Sequence, residues 1–253
     1  PASELLRLHL RRRVLLPVAF WLAVWELCYR AVGQDLLLAS PGQVVAYLAG
    51  GMNATFWGCV GMSLVRTGAA YVLGVVLGVA LAVLCHWAPL LGEVIRPALA
   101  VVRATPVASF IILALIFFSS ENLSLLISAL MVFPPVYLNV LEGIGHTDRQ
   151  LLEMARVFRV PVSRQLRGIY LPAVLPYFRS AVSLGLGLCW KSGAAAEVIG
   201  LPAGSIGEAL YTAKVYFQTG DLFAWTAVIV TVSVIFERLF LRLVDAAVRK
   251  AGS

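Results

Sequence analysis

Six long apolar stretches constrain this chain more than any other feature of its sequence. The hydrocarbon core of a bilayer is about 30 Å thick, and an α-helix needs about 20 mostly apolar residues to cross it. The stretches lie near Val14–Val32, Ser63–Cys85, Ala98–Phe118, Leu123–Leu141, Ala173–Ile199 and Leu222–Leu243. Because 60% of the 253 residues are hydrophobic and only 13% are charged, the chain has too little polar surface for a soluble globule. We predict an all-α polytopic membrane protein with about six transmembrane helices, in one domain covering residues 1–253.

The positions of the basic residues predict which side of the membrane each loop faces. Cytoplasmic loops of membrane proteins hold an excess of Lys and Arg. Most of the 20 basic residues lie in the N-terminal tail, around Arg96, in the segment 142–172 and near the C-terminal end. We expect these segments, and therefore both termini, to face the cytoplasm. Arg11-Arg12-Arg13 before an apolar run also resembles a signal peptide, but the length of the run favours a first transmembrane helix.

The composition excludes several function classes. The net charge of +7 is accounted for by membrane topology and by attraction to anionic lipid, and no basic patch is interleaved with aromatic residues, so we expect no nucleic-acid binding. The four cysteines are scattered without a C-x-x-C pair, which argues against a metal site. No zinc-hydrolase motif, nucleophile elbow or phosphate-cradling loop is present, and we expect no catalytic residue and no cofactor.

Glycine and proline positions predict several shorter features. Turn residues bracket a short external helix at Gln43–Leu48, and a second external helix is predicted at Ile206–Tyr216. The pair Gly74 and Gly78 predicts close packing of the second span against another helix. Pro134-Pro135 is predicted to interrupt the fourth span.

The charged segment 142–172 is predicted to form a helix-turn-helix across the membrane face. Asp148 is placed to cap a first, amphipathic helix, which Pro161 ends. Ser163 is placed to cap a second helix, which ends at Leu171-Pro172. The apolar positions of the first helix recur at helical spacing; they are Leu151, Leu152, Ala155 and Phe158.

The residues of this segment resemble the EAA loop of binding-protein-dependent ABC transporter permeases. That pattern reads Glu-Ala-Ala, three residues, Gly, nine residues and Ile-x-Leu-Pro. The matching residues here are Glu153, Ala155, Ile169, Leu171 and Pro172. Two positions depart from the pattern, since Met154 replaces the first Ala and Arg159 replaces the Gly of the turn. The segments 190–200 and 209–214 also resemble the nitrate, sulfonate and taurine branch of these permeases, so that the resemblance covers most of the chain.

The resemblance implies a type I importer in the bacterial inner membrane, built from two permease copies, two cytoplasmic ATP-binding subunits and an external solute-binding protein. It implies that ATP is hydrolysed by the partner and that this chain is not itself an enzyme. The solute would be a small anion or zwitterion such as a sulfonate, taurine or nitrate. The residues expected to dock the ATPase are Leu152, Glu153, Ala155, Arg156, Phe158 and Arg159. Taken alone, Glu153 is better explained as a solvated residue that pairs with Arg149 or Arg156, and only the full pattern favours docking.

Ionisable residues inside spans are candidates for the translocation pathway, because a charge at the bilayer centre costs at least about 2.5 kcal/mol on insertion scales. The ionisable candidates are Arg103, Lys191 and Glu197. Thr105 is added because it lies before Pro106 at the start of the third span, where a helix break would line the pathway. Arg103 can also extend to the cytoplasmic face, and Lys191 can also belong to a structural ion pair. Lys191 and Glu197 lie six residues apart and do not share a helical face.

Two other function classes fit an apolar chain of this kind. An ion-coupled secondary transporter would carry coupling residues at the bundle centre and would not need the segment 153–172. An intramembrane enzyme would need a base and a nucleophile at matching depth, and the sequence offers only Lys191, Ser192 and Glu197. The spaced pattern from Glu153 to Pro172 favours the importer over both.

Overall fold

The structure is a computed structural model that describes the backbone of residues 2–251 and the side chains of residues 16–246. All regular elements in that part of the chain are helical. They are α1 (Ala2–Val32), α2 (Pro41–Gly51), α3 (Ala54–Trp87), α4 (Pro89–Ala104), α5 (Val107–Ala114), α6 (Ser120–Gly145), α7 (Arg149–Val157), α8 (Val162–Gln165), a π-helical turn (Leu166–Tyr170), α9 (Leu171–Gly200), α10 (Ile206–Val215) and α11 (Thr219–Ala251). The basic side chains of the N-terminal tail, and those at 249 and 250, lie outside the described residues.

The helix lengths agree with the prediction of an all-α, multi-span protein. Among the described residues, three helical segments are long and apolar enough to cross a membrane, namely α3, α6 and Val162–Gly200. A fourth is added if α4 and α5 are counted as one bent span. The two remaining predicted spans lie on α1 and α11, which are 31 and 33 residues long.

The predicted third span, Ala98–Phe118, is wrong as a continuous helix. Instead α4 and α5 meet at an angle of 103°. The break falls at Thr105 and Pro106, whose ψ angles of 131° and 136° are extended. A proline disfavours the helical conformation of the residue before it, and this explains why α4 stops where it does.

Two other predictions from proline positions are also wrong. Pro134 and Pro135 lie inside a continuous α6 and do not interrupt it. The helix that follows Pro161 does not end at Leu171-Pro172 but continues through the π-helical turn into α9. Ser163 is not its cap, because Pro161 occupies the N-cap position. In the π-helical turn the N–H of Leu171 donates to the carbonyl of Leu166, five residues earlier, and this wider turn carries the helix past Pro172.

The chain forms two compact units, of which the larger comprises Gly58–Glu208 and Ile229–Ser253. In its core α6 packs most extensively on α9, and buried residues of α3 complete the packing. A Cβ at Gly74 would lie 2.7 Å from the Cβ of Val132, so the predicted close approach at the glycine pair is confirmed. The hydroxyl of the buried Tyr71 donates to the carbonyl of Val182 at 2.9 Å and ties α3 to α9.

The smaller unit comprises Pro1–Trp57 and Ala209–Val228. Its short helix α2 confirms the helix predicted at 43–48 and begins at a capping box, in which Ser40 and Gln43 each bond the other's main-chain N–H. The Trp25 indole N–H donates to the carbonyl of Ala39 at 2.9 Å. Trp25 also packs against Phe223, with ring centroids 5.7 Å apart. These contacts hold α1, α2 and the start of α11 together within this unit.

Candidate functional site

The segment between α6 and α9 presents an amphipathic helix, as the sequence predicts. The Asp148 carboxylate accepts the N–H of Gln150 at 2.8 Å and caps α7, which then runs from Arg149 to Val157. The predicted cap is therefore confirmed. Because this helix has both a charged and an apolar face and is only nine residues long, it suits a surface contact better than a membrane span.

The outward apolar surface of α7 differs in part from the residues that the sequence singled out. Ala155 is only 1% exposed and packs within this chain, and Leu152 is half-buried. Phe158 is 75% exposed, and Glu153, Arg156 and Arg159 are also exposed. The other apolar residues that face outward are Leu151, Met154 and Val157. Leu151 was already among the predicted apolar positions of the helix. The spacing of three residues that continues from it is the sequence signal for Met154 and Val157.

Arg159 forms the turn after α7 in a left-handed conformation, with φ of 52°. The N–H of Val160 donates to the carbonyl of Ala155 at 2.8 Å, which closes the end of the helix. This is the conformation that glycine adopts most readily at the end of a helix. The chain thus keeps the turn of the EAA pattern although it lacks the pattern's glycine.

A cavity of about 400 Å³ lies along α4 and is lined by residues of α3, α4 and α6. Arg103 and Arg96 line this cavity from α4, and Glu93 lies in its wall as well. Tyr137 of α6 completes the polar part of the lining. The Thr105 hydroxyl donates to the carbonyl of Val101 at 2.8 Å, at the break itself. Arg96 was counted in the sequence only as a basic loop residue, but its spacing of seven residues from Arg103 places both on one face of α4.

Lys191 and Glu197 occupy different environments on α9. Lys191 is exposed, whereas Glu197 is 2% exposed and bonded inside the chain. The Ser63 hydroxyl donates to a Glu197 carboxylate oxygen at 2.6 Å. The helix stays continuous through Gly193, so the two charges do not share a face, as their spacing indicates.

The described residues hold no group of three or more His, Cys, Asp or Glu side chains that could bind a metal ion. The functional candidates are therefore a surface helix with its turn, a cavity along α4 that contains charged side chains, and two charges on a long helix. Such an arrangement offers contacts for a partner and for a solute.

Comparison with known proteins identifies relatives over most of the chain. Residues 74–250 match the family model described as binding-protein-dependent transport system inner membrane component. The putative aliphatic sulfonates transport permease protein SsuC of Bacillus subtilis (strain 168) is 28% identical over 200 residues, covering 79% of this chain and 72% of the relative. The taurine transport system permease protein TauC of Escherichia coli (strain K12) is 26% identical, covering 84% and 80%. The nitrate import permease protein NrtB of Synechococcus elongatus is 26% identical, covering 82% and 77%.

A solved structure supports the fold. A chain in the crystal structure of an amino acid ABC transporter with histidines superposes with a TM-score of 0.59 at 19% identity. The likeness covers 78% of this chain and 93% of that one.

Proposed function

We propose, from the premise that this chain belongs to the binding-protein-dependent transport system inner membrane component family, that it moves a small anion or zwitterion into the cytoplasm. The chain is a transmembrane permease of an ABC importer, and this membership sets aside the secondary transporter. The solute class rests on relatives whose names specify aliphatic sulfonates, taurine and nitrate.

The observation that carries the coupling mechanism is the capped surface helix α7. Its exposed face combines the Glu153 and Arg156 charges with Phe158, and the Arg159 turn fixes its end. A cytoplasmic ATP-binding subunit would receive this face, with Glu153 as a polar anchor and Phe158 as an apolar one. ATP hydrolysis then belongs to that subunit, and different contacts of its nucleotide states shift this chain between inward-open and outward-open forms. In this proposal the segment 142–172 and both termini face the cytoplasm.

The docking proposal is tested by copurification from native membranes in mild detergent. We expect the wild-type chain to retain an ATP-binding subunit and Glu153→Arg to lose it, because the substitution reverses the charge of the anchor. Glu121→Arg makes the same change at an exposed carboxylate in the first turn of α6 and should retain the subunit. Loss of the subunit from both variants, or from neither, would refute the docking role.

The solute pathway is proposed to include Arg103, Thr105 and Lys191. Arg103 lines the cavity along α4 and lies two residues before Thr105 at the helix break, and Lys191 is a charge on the exposed side of α9. A cation within a span needs a protein-lined or water-filled surrounding, which a second permease copy in a homodimer would complete. An external solute-binding protein would deliver the solute to this pathway. Glu197 is proposed to support the pathway from a buried position.

Uptake measurements test the pathway separately from docking. Proteoliposomes that contain the whole importer and its solute-binding protein would be supplied with labelled taurine, nitrate or an aliphatic sulfonate. Arg103→Ala and Lys191→Ala should lower uptake of the accepted solute while the ATPase subunit stays bound, since they remove charges that attract an anion. Lys214→Ala, which removes an exposed charge from α10, is the control. Undiminished uptake by both pathway variants would contradict a charge-reading pathway.

A further inference from the structure

The start of α10 is held by side chains from two other helices. Besides accepting the Ser63 hydroxyl, the Glu197 carboxylate accepts the N–H of Gly207 at 3.4 Å. The Ser63 oxygen in turn accepts the N–H of Ile206 at 3.0 Å. The first N–H groups of a helix have no partner within the helix, and here α3 and α9 supply the partners. We call this set, Ser63, Glu197 and the residues 206–207, the α10 clasp.

The α10 clasp depends on a close approach of main chain to side chain. A Cβ at position 207 would lie 2.3 Å from the Cβ of Glu197, a distance that real Cβ atoms do not reach. Position 207 therefore requires glycine for the helix to begin so close to Glu197. Ser205 is completely buried next to it and accepts the N–H of Glu208 at 3.0 Å. In this arrangement the start of α10 thus leaves no room for a side chain at position 207.

Two buried charged atoms remain without partners beside the clasp. Within the described part of the chain, Oε1 of Glu197 and Nη1 of Arg66 are both buried and make no hydrogen bond. Arg66 lies three residues after Ser63 on α3, and its charge acts on Glu197 electrostatically. An unpaired buried charge is costly, so native structures usually pair such groups. The two groups are opposite in charge and neighbouring, but no ion pair joins them in this structure.

We propose that Glu197 is a positioning residue with two alternative partners. In the state described here it holds the start of α10, and in a second state it exchanges Gly207 and Ser63 for Arg66 and releases the helix. Packed elements of proteins switch between discrete arrangements of this kind, and a shift of population needs only a difference in contacts between the two states. The proposal rests on the proposed function for the existence of a second transport state. It adds the residues that hold and release α10.

Cys59 gives a native reporter for release of the clasp. It lies on α3 four residues before Ser63, on the same face of the helix, and is only 9% exposed. Release of the start of α10 should therefore uncover its thiol. Cys28 is exposed, whereas Cys59, Cys85 and Cys189 are all buried, so a chain with Cys28→Ser, Cys85→Ala and Cys189→Ala keeps Cys59 as its single thiol.

The experiment measures the rate at which a polar methanethiosulfonate labels Cys59 in this purified single-cysteine chain, the parent of the variants below, in lipid nanodiscs. Glu197→Ala should speed labelling about tenfold, as expected for loss of buried hydrogen bonds to a charged group. Arg66→Gln should slow labelling below the parent chain, because it removes the partner of the released state. Ser180→Ala removes a hydroxyl bonded within α9 and should leave the rate unchanged.

Glu197→Gln is the control for misfolding of Glu197→Ala, because misfolding would speed labelling whereas the exchange predicts slower labelling for this variant. It keeps an oxygen for Ser63 and Gly207 but loses the charge that attracts Arg66, so it should resemble Arg66→Gln. A parent-like rate in Arg66→Gln would overturn the exchange, and a parent-like rate in Glu197→Ala would overturn the positioning role. The measurement needs neither ATPase nor solute, and its failure is therefore distinct from failure of the proposed docking or solute class.

Discussion

Arg159→Gly should stabilise the turn that ends α7. A left-handed conformation costs a residue with a side chain about 1–2 kcal/mol relative to its usual conformations, and glycine avoids most of this cost. Glycine also gains freedom in the unfolded state, which offsets about 0.4–1 kcal/mol. The Arg159 side chain is exposed, so its loss removes little packing. We expect a net gain of about 0.5–1 kcal/mol in the local opening free energy.

The assay is hydrogen exchange of the Val160 amide, because the bond from that N–H to the Ala155 carbonyl closes the turn. Arg159→Gly should slow its exchange by about two- to fivefold, which corresponds to the expected gain in free energy. Arg156→Gly is the matched control, since it makes the same residue change inside α7, where φ is helical. A glycine there costs about 1 kcal/mol and should speed exchange about fivefold.

The direction of the change in Val160 exchange in each variant tests whether the Arg159 turn is strained. If Arg159→Gly accelerates Val160 exchange as Arg156→Gly does, the left-handed conformation carries no strain and the reasoning is refuted. Copurification of the ATPase subunit gives a second readout. A stabilised turn with a lost subunit would show that the Arg159 side chain contacts the partner, whereas a stabilised turn with a retained subunit would show that only the shape of the turn is needed.

Three further substitutions test the packing of the larger unit by thermal unfolding in detergent. Gly74→Ala should destabilise by about 1–3 kcal/mol, because the added methyl group meets α6 at 2.7 Å, whereas Gly58→Ala on the same helix has open space and should be neutral or stabilising. Gly207→Ala should cost at least as much as Gly74→Ala, since its Cβ would overlap Glu197, and an unchanged melting temperature would contradict the close approach. Tyr71→Phe should cost about 0.5–1.5 kcal/mol through loss of its buried hydrogen bond to α9, and a cost near zero would show that this bond adds no stability.

Local patterns predicted much of the fold because the signals are local. Apolar runs predicted the long helices, Ser40 lies in the capping box of α2, and Asp148 caps α7. The predicted external helix at 206–216 corresponds to α10, Ile206–Val215. In each case the deciding interaction lies within a few residues of the pattern that predicts it.

Proline positions predicted less because the effect of a proline depends on the hydrogen bonds around it. Pro106 ends α4, but the angle of 103° between α4 and α5 depends on tertiary packing. Pro134 stays inside α6, and Pro172 is accommodated by the wider π-helical turn before it. A sequence pattern records the missing N–H of proline but not where the freed carbonyl finds another partner.

The partners of the candidate site residues depend on contacts between distant parts of the chain. Ser63 and Glu197 are 134 residues apart, and no spacing rule joins them. The same limit applies to Ala155. Its place in the helical spacing predicted a contact with the partner, but its side chain is buried within this chain. The identity of these residues could be read from the sequence, whereas their surroundings required the structure.

The helical segment from Val162 to Gly200 is continuous, so the residues that follow the α7 turn and the long span beyond them form one stiff rod. Its 39 residues correspond to about 58 Å, well beyond the roughly 30 Å of a bilayer core. A lateral push on the end beside Pro161 would therefore tilt the whole rod, and its opposite end would swing the other way about any pivot within the membrane. Glu197 lies near that opposite end. Tilting of this one helix would therefore carry motion from the turn after α7 to the start of α10, without a chain of side-chain rearrangements between them.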